Sequence, residues 1–199
     1  MARKPRTEMI ETTRQKLIET ARQQFGTVGY ANTVMDDLTA KAGMTRGALY
    51  HHFGDKKGLF LAVLQQIDAE MDDRLNEISK RETDSWAVFT LRCHAYLKMA
   101  IEPEIQRIVL CDASSVLDAD QQQNSRLQCI TSIADMLNRL MAEGQVISTS
   151  PHILARFING GLMDTASWIA QSQHPDKALS DALGSLNVVL NGLKKKPNQ

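Results

Sequence analysis

Apolar residues recur at helical spacing along nearly the whole chain, and no run alternates with period two before a hairpin dipeptide. A chain with that pattern cannot build a sheet core, so an all-α fold of about nine helices is predicted. The breaks agree with it. The five prolines are Pro5, Pro103, Pro151, Pro175 and Pro197, and each can stand at an element boundary. A chain of 199 residues is long enough for one large domain or two small ones sharing a core.

The first helix is predicted from Thr7 to Phe25, with Ile10, Arg14, Leu17, Ile18, Ala21 and Phe25 on one stripe and Gly26 and Gly29 at its end. A short helix follows from Val34 to Ala42. Thr33 is its expected N-cap, Asp36 and Asp37 complement the dipole, and Gly43 stops it. Thr45 caps a third helix, Arg46 to His51, and Asp55 a fourth, whose stripe runs from Leu59 to Ile78. Further helices are expected over 85–101, 104–117, 120–143, 151–172 and 175–193, with a disordered tail from Lys194.

The stretch AGMTRGALYHHFGDKKGLF, residues 42–60, carries the chemistry. A helix, a glycine-containing turn and a second short helix make the layout of a helix-turn-helix. A recognition helix enters a DNA major groove about 12 Å wide, so only its exposed face and first turns reach base edges. Thr45 and Arg46 stand at that leading end, and Arg46 suits guanine or phosphate. Gly47 and Ala48 keep the helix slim, while Leu49 and Phe53, four apart, anchor it. Tyr50, His51 and His52 offer hydrogen-bond donors, and Lys56 is placed for a phosphate. The adjacent histidines point about 100° apart on a helix, so they do not form a metal pair, and no metal site or cofactor is expected.

The longer segment TVMDDLTAKAGMTRGALYHHFGDKKGLF resembles the DNA-binding region of the TetR family of bacterial transcriptional regulators. The matching positions are Thr33, Gly43, Leu49, Tyr50, His52, Phe53, Lys56 and Leu59, and the likeness covers about residues 7–62. The resemblance implies that Thr33, Tyr50, His52 and Lys56 contact phosphates, and that Thr45, Arg46, Gly47 and His51 face base edges. It implies a helix-turn-helix domain over residues 1–55 and an effector-binding and dimerisation domain over 56–199. EPEIQRIVLCDASSVLDAD is similar to the regulatory domain of one TetR subgroup.

A protein of this kind holds a small-molecule effector, expected to be largely apolar, among its middle helices. The candidate lining residues are Trp86, Phe89, Cys93, Tyr96, Ile108, Cys111, Leu137, Met141, Phe157, Met163 and Trp168, each equally readable as core. His94 and Asp112 are candidates for polar specificity. The last two helices are the expected homodimer interface, where Asn159-Gly160-Gly161 permits close approach. A twofold dimer would set two recognition helices about one DNA turn apart, on a palindromic operator.

Net charge is zero, yet residues 1–60 hold ten Lys/Arg against six Asp/Glu, so the basic end is the one expected to meet a polyanion. The three cysteines, Cys93, Cys111 and Cys129, form no CxxC and point to a reducing cytoplasm. No signal peptide or membrane span is expected. The chain contains no Glu-x-x-His, HExxH, Walker loop or GxGxxG, so an enzyme is not expected. The readings are therefore a ligand-responsive repressor, a thiol-responsive regulator of the same fold, and a helical protein–protein adaptor.

Overall fold

A computed structural model of the chain describes residues 6–195. The basic Met1–Pro5 segment and the tail at 196–199 lie outside the described residues. Nine α-helices and one π-helical segment make up the described chain: α1 (Arg6–Asn32), α2 (Met35–Ala42), α3 (Arg46–Phe53), α4 (Lys56–Arg81), α5 (Ser85–Met99), the π-helix Ile105–Asp112, α6 (Ala113–Val116), α7 (Ala119–Ala142), α8 (Pro151–Gln171) and α9 (Pro175–Asn191).

Side chains set most of the boundaries. Thr45 Oγ1 accepts from the Ala48 amide at 3.2 Å and starts α3, while Asp55 Oδ1 accepts from Gly58 at 2.7 Å and starts α4. Asp84 caps α5, and Ser150 caps α8 ahead of Pro151. Asp118 and Gln121 form a reciprocal capping box on α7. Two boundaries differ from expectation. Val34, not Thr33, stands at the N-cap of α2, without a side-chain bond. The helical path of α1 also continues past Gly26 to Gly29, whose φ of 80° and ψ of 166° break it in a region open essentially to glycine alone.

The expected helix over 104–117 is mostly π-helix, a wider winding that is common at functional sites. Lys194 and Lys195, expected to begin a disordered tail, are ordered: Lys194 bridges Val146, and the Lys195 amide donates to Gln145 O at 3.0 Å.

Contacts divide the chain into two compact units, Met1–Glu70 with Pro103–Val116, and Met71–Glu102 with Leu117–Gln199. This division differs from one at residue 55. The first 15 residues of α4 stay with the helix-turn-helix because Leu59, Phe60, Val63 and Ile67 are buried against the same core as α1. Segment 103–116 joins them through Ile105, Ile108 and Ala113.

The first unit is centred on Leu17, Phe25, Leu38, Leu49 and Phe60. Phe25, Tyr30 and Phe60 form an aromatic trio with centroids 5.1 to 5.8 Å apart. Burying one such phenylalanine stabilises the fold by about 1.5–3 kcal/mol. Arg22 adds a polar clasp, donating to Glu104 at 2.6 Å and to Glu70 at 2.5 Å. In the second unit α5, α7, α8 and α9 share a core that includes Phe89, Leu97, Leu137, Leu140, Ile158 and Ile169.

Candidate nucleic-acid interface

Leu49 is fully buried and ties α3 to α1 and α2. The glycine at the turn, Gly43, adopts a left-handed φ of 64°, and its amide closes α2 on Ala40 O. With that anchor, Thr45, Arg46, Gly47, Tyr50 and His51 emerge together on one exposed face of α3. Arg46, Gly47, Tyr50 and His51 sit at i, i+1, i+4 and i+5 along the helix, one continuous stripe, with Thr45 at its N-cap. His52 and Phe53 are half-buried beside it. Arg14 lies over the Phe53 ring, its guanidinium 5.7 Å from the centroid.

Arg46 is not a free side chain. Its Nε lies 3.1 Å from Asp36 Oδ1 and a terminal nitrogen 3.3 Å from Oδ2, and the guanidinium stands 5.9 Å from the Tyr50 centroid. Asp36 thus fixes the direction of the arginine from the first turn of α2. Sequence reading assigned Asp36 only to the helix dipole, because a partner ten residues away on another helix has no local signal.

Two expected phosphate contacts look different in the fold. Thr33 is 4% exposed and its hydroxyl donates to Gly29 O at 2.8 Å, so the side chain closes the α1 break and is neither a cap nor a surface donor. Lys56 is half-buried. Its ammonium lies 4.6 Å from the Tyr30 centroid and 3.4 Å from Ala31 O, and burial pushes its pKa below the ordinary lysine value. Tyr50 and His51 are exposed.

The eleven effector candidates are distributed across both units. Phe89, Cys93 and Leu137 are closely packed core of the second unit, with Trp86 6.0 Å from Phe89. Tyr96 and Met141 are half-buried there. Ile108 is buried in the first unit, and Cys111 is exposed on the π-helix of that unit. Phe157 and Trp168 are exposed on α8 and line a groove of about 420 Å³ along α8 and α9. Met163 faces a different cleft, between α7 and α8. Of the polar candidates, His94 Nε2 meets Asn187 Oδ1 at 2.7 Å, and Asp112 Oδ2 accepts the Tyr30 amide at 2.7 Å. Both hold structure together.

Cys93 is buried, and burial pushes its thiol up to about 12, which removes it as a thiolate at neutral pH. Cys111 and Cys129 are exposed.

A short helix anchored by one leucine, presenting arginine, tyrosine and histidine across a left-handed glycine turn, defines a helix-turn-helix DNA-binding protein with a separate helical unit. Known proteins agree. Residues 17–63 match the tetR family of bacterial regulatory proteins, and residues 86–193 match the tetracyclin repressor-like C-terminal domain. A TetR-family transcriptional regulator from Pectobacterium atrosepticum has a crystal structure with a TM-score of 0.85 to this chain, 48% identity, and coverage of 98% of this chain and 100% of its own. The Transposon Tn10 TetC protein of Escherichia coli is 27% identical over 164 residues, 80% of this chain and 81% of that protein. The transcriptional repressor AcnR of Corynebacterium efficiens is 32% identical over 115 residues, 53% of this chain and 60% of that repressor. The chain belongs to the TetR family and is a DNA-binding transcriptional regulator. No helix among the described residues is long and apolar enough to cross a membrane.

Proposed function

We propose that the protein is a cytoplasmic repressor that binds a palindromic operator as a homodimer and leaves it when a small molecule occupies the second unit. The observation that carries this reading is the exposed stripe of Arg46, Gly47, Tyr50 and His51 on α3. Arg46 and His51 read base edges in the major groove; Tyr50 and the rim of α3 hold phosphates. Lys56 serves the backbone from its seat on Tyr30.

Dimerisation runs through α8 and α9. Phe157 is 76% exposed and Val188 75% exposed, with Trp168 and Val189 beside them, and apolar side chains this bare on adjacent helices call for a covering surface. A twofold axis there is isologous, so each chain covers the other with the same patch.

An effector shifts operator affinity only by binding one of two states better. Within the first unit, segment 103–116 is positioned to report such a shift. Asp112 grips the Tyr30 amide, Arg107 reaches Val28 O at 3.4 Å and Glu104 holds Arg22, so three side chains of the segment grip α1. Tyr30 in turn carries Lys56. The same segment continues by chain into α5 and α7 of the second unit.

Sedimentation of the protein on its selected operator duplex tests this reading. The expected complex carries two chains per palindrome. A complex with one chain, or binding that is indifferent to half-site spacing, would refute the dimeric repressor.

A further inference from the structure

Three cations of the first unit rest on aromatic rings. Arg46 stands 5.9 Å from the Tyr50 centroid, Lys56 4.6 Å from Tyr30 and Arg14 5.7 Å from Phe53. Arg46 and Lys56 belong to the helix-turn-helix motif. Arg14 lies on α1, ahead of the stretch 17–63 that matches the family, yet it is built in the same way. Its side chain is 40% exposed, and the carboxylate beside it, Glu11, is 3.8 Å away and itself 69% exposed. An ion pair that open is screened by water and contributes little, so it yields to a phosphate.

Phe53 fixes where Arg14 stands. Arg46, Tyr50 and Phe53 follow at i, i+4 and i+7, so Phe53 continues the stripe that carries Arg46 and Tyr50. Seven residues at a rise of about 1.5 Å separate Arg46 from Phe53 by about 10 Å along the axis. A recognition helix sets its N-terminal residues against base edges, in a groove about 12 Å wide and about 8.5 Å deep. With Arg46 at the floor, the Phe53 end stands toward the rim, where the phosphates run. A guanidinium seated on Phe53 therefore meets backbone, not bases. The seat also lowers the cost of the contact. A free arginine loses rotamer freedom when it grips a phosphate, and one already resting on a ring has lost much of it beforehand. A guanidinium can lay one face on a ring and still turn its N–H edge to a phosphate.

We propose that Arg14 is a DNA phosphate contact supplied by α1, held over Phe53 at the trailing end of α3. It grips the diester whatever the bases beneath, so it adds affinity and register and no sequence preference of its own. The inference rests on α3 being the helix that enters the groove.

The salt dependence of binding tests it, by fluorescence anisotropy of the full-length protein on the duplex it selects and on a scrambled duplex. Each phosphate contact adds about 0.9 to the slope of log affinity against log salt. Arg14→Gln should lower the slope by about 1 per bound chain and weaken both duplexes by the same factor. Arg14→Lys, which keeps the charge, should restore the parent slope. A role in folding alone would move the urea midpoint and leave the slope as in the parent. Duplexes carrying one neutral methylphosphonate per half-site read the contact from the DNA side: at one position the parent should weaken and Arg14→Gln should be indifferent. An unchanged slope in Arg14→Gln, or no position at which it differs from the parent, overturns the proposal. Arg46→Ala in parallel keeps the two readings apart. If it loses operator preference while Arg14→Gln keeps the parent slope, α3 reads DNA and the Arg14 contact is wrong. If Arg46→Ala is indifferent too, the α3 reading falls and this contact with it.

Discussion

Arg46 and Asp36 show why a residue's neighbour matters as much as its identity. The carboxylate holds the guanidinium in place from α2, yet the same negative charge sits close to where phosphates would pass. The two effects predict opposite outcomes for the two partners. Arg46→Ala should weaken operator binding by about 1–3 kcal/mol and relax preference at the base it reads. Asp36→Ala should instead raise affinity for unrelated DNA, because it removes a repulsion and frees the arginine, and so narrow the gap between specific and non-specific binding. Fluorescence anisotropy on operator and scrambled duplexes measures both; a loss of non-specific affinity in Asp36→Ala would contradict this account. Cysteine exposure gives a second test at this scale. A maleimide added to the native protein should label Cys111 and Cys129 and spare Cys93, whose thiol burial pushes up to about 12. Rapid native labelling of Cys93 would reopen the thiol-sensor reading.

At the scale of elements, the break at Gly29 is a point where a single methyl group should be costly. Its backbone lies in a region essentially reserved for glycine, and a Cβ would run into the Arg107 guanidinium. Gly29→Ala should therefore destabilise the protein by about 1–3 kcal/mol, seen as a lower urea midpoint with unchanged slope. An unaffected midpoint would mean that the break relaxes freely. The same element shows what was legible in the sequence. Local rules worked where the signal was local: Thr45 and Asp55 each cap the helix that follows them. They failed where the partner was distant. Thr33 has the composition of a cap but spends its hydroxyl on Gly29 O, and nothing in its neighbours signals that. The π-winding of 105–112 was equally hidden, since the sequence showed only that this segment is helical. The exposed face of α3 was readable because its motif is contiguous.

For the whole molecule, operator binding and dimerisation should be one property. Two half-sites bound by one rigid pair gain affinity that a single chain cannot reach. Phe157→Asp places a charge at the centre of the bare α8 face and should leave a folded monomer by sedimentation, with operator affinity lower by about 10²-fold or more. A variant that stays dimeric would move the interface off α8. The uneven charge of the chain adds a dependence on salt: the basic first sixty residues should make binding weaken steeply as ionic strength rises.

The central claim is that α3 reads DNA sequence. Selection of genomic fragments by the purified protein and by Arg46→Ala, each at low and at moderate salt, tests it most directly. The account predicts one palindromic motif enriched by the parent at both salt concentrations, with half-sites about one helical turn apart, and lost or degenerate in Arg46→Ala. No enriched motif at low salt, or the same motif recovered equally by Arg46→Ala, would contradict it.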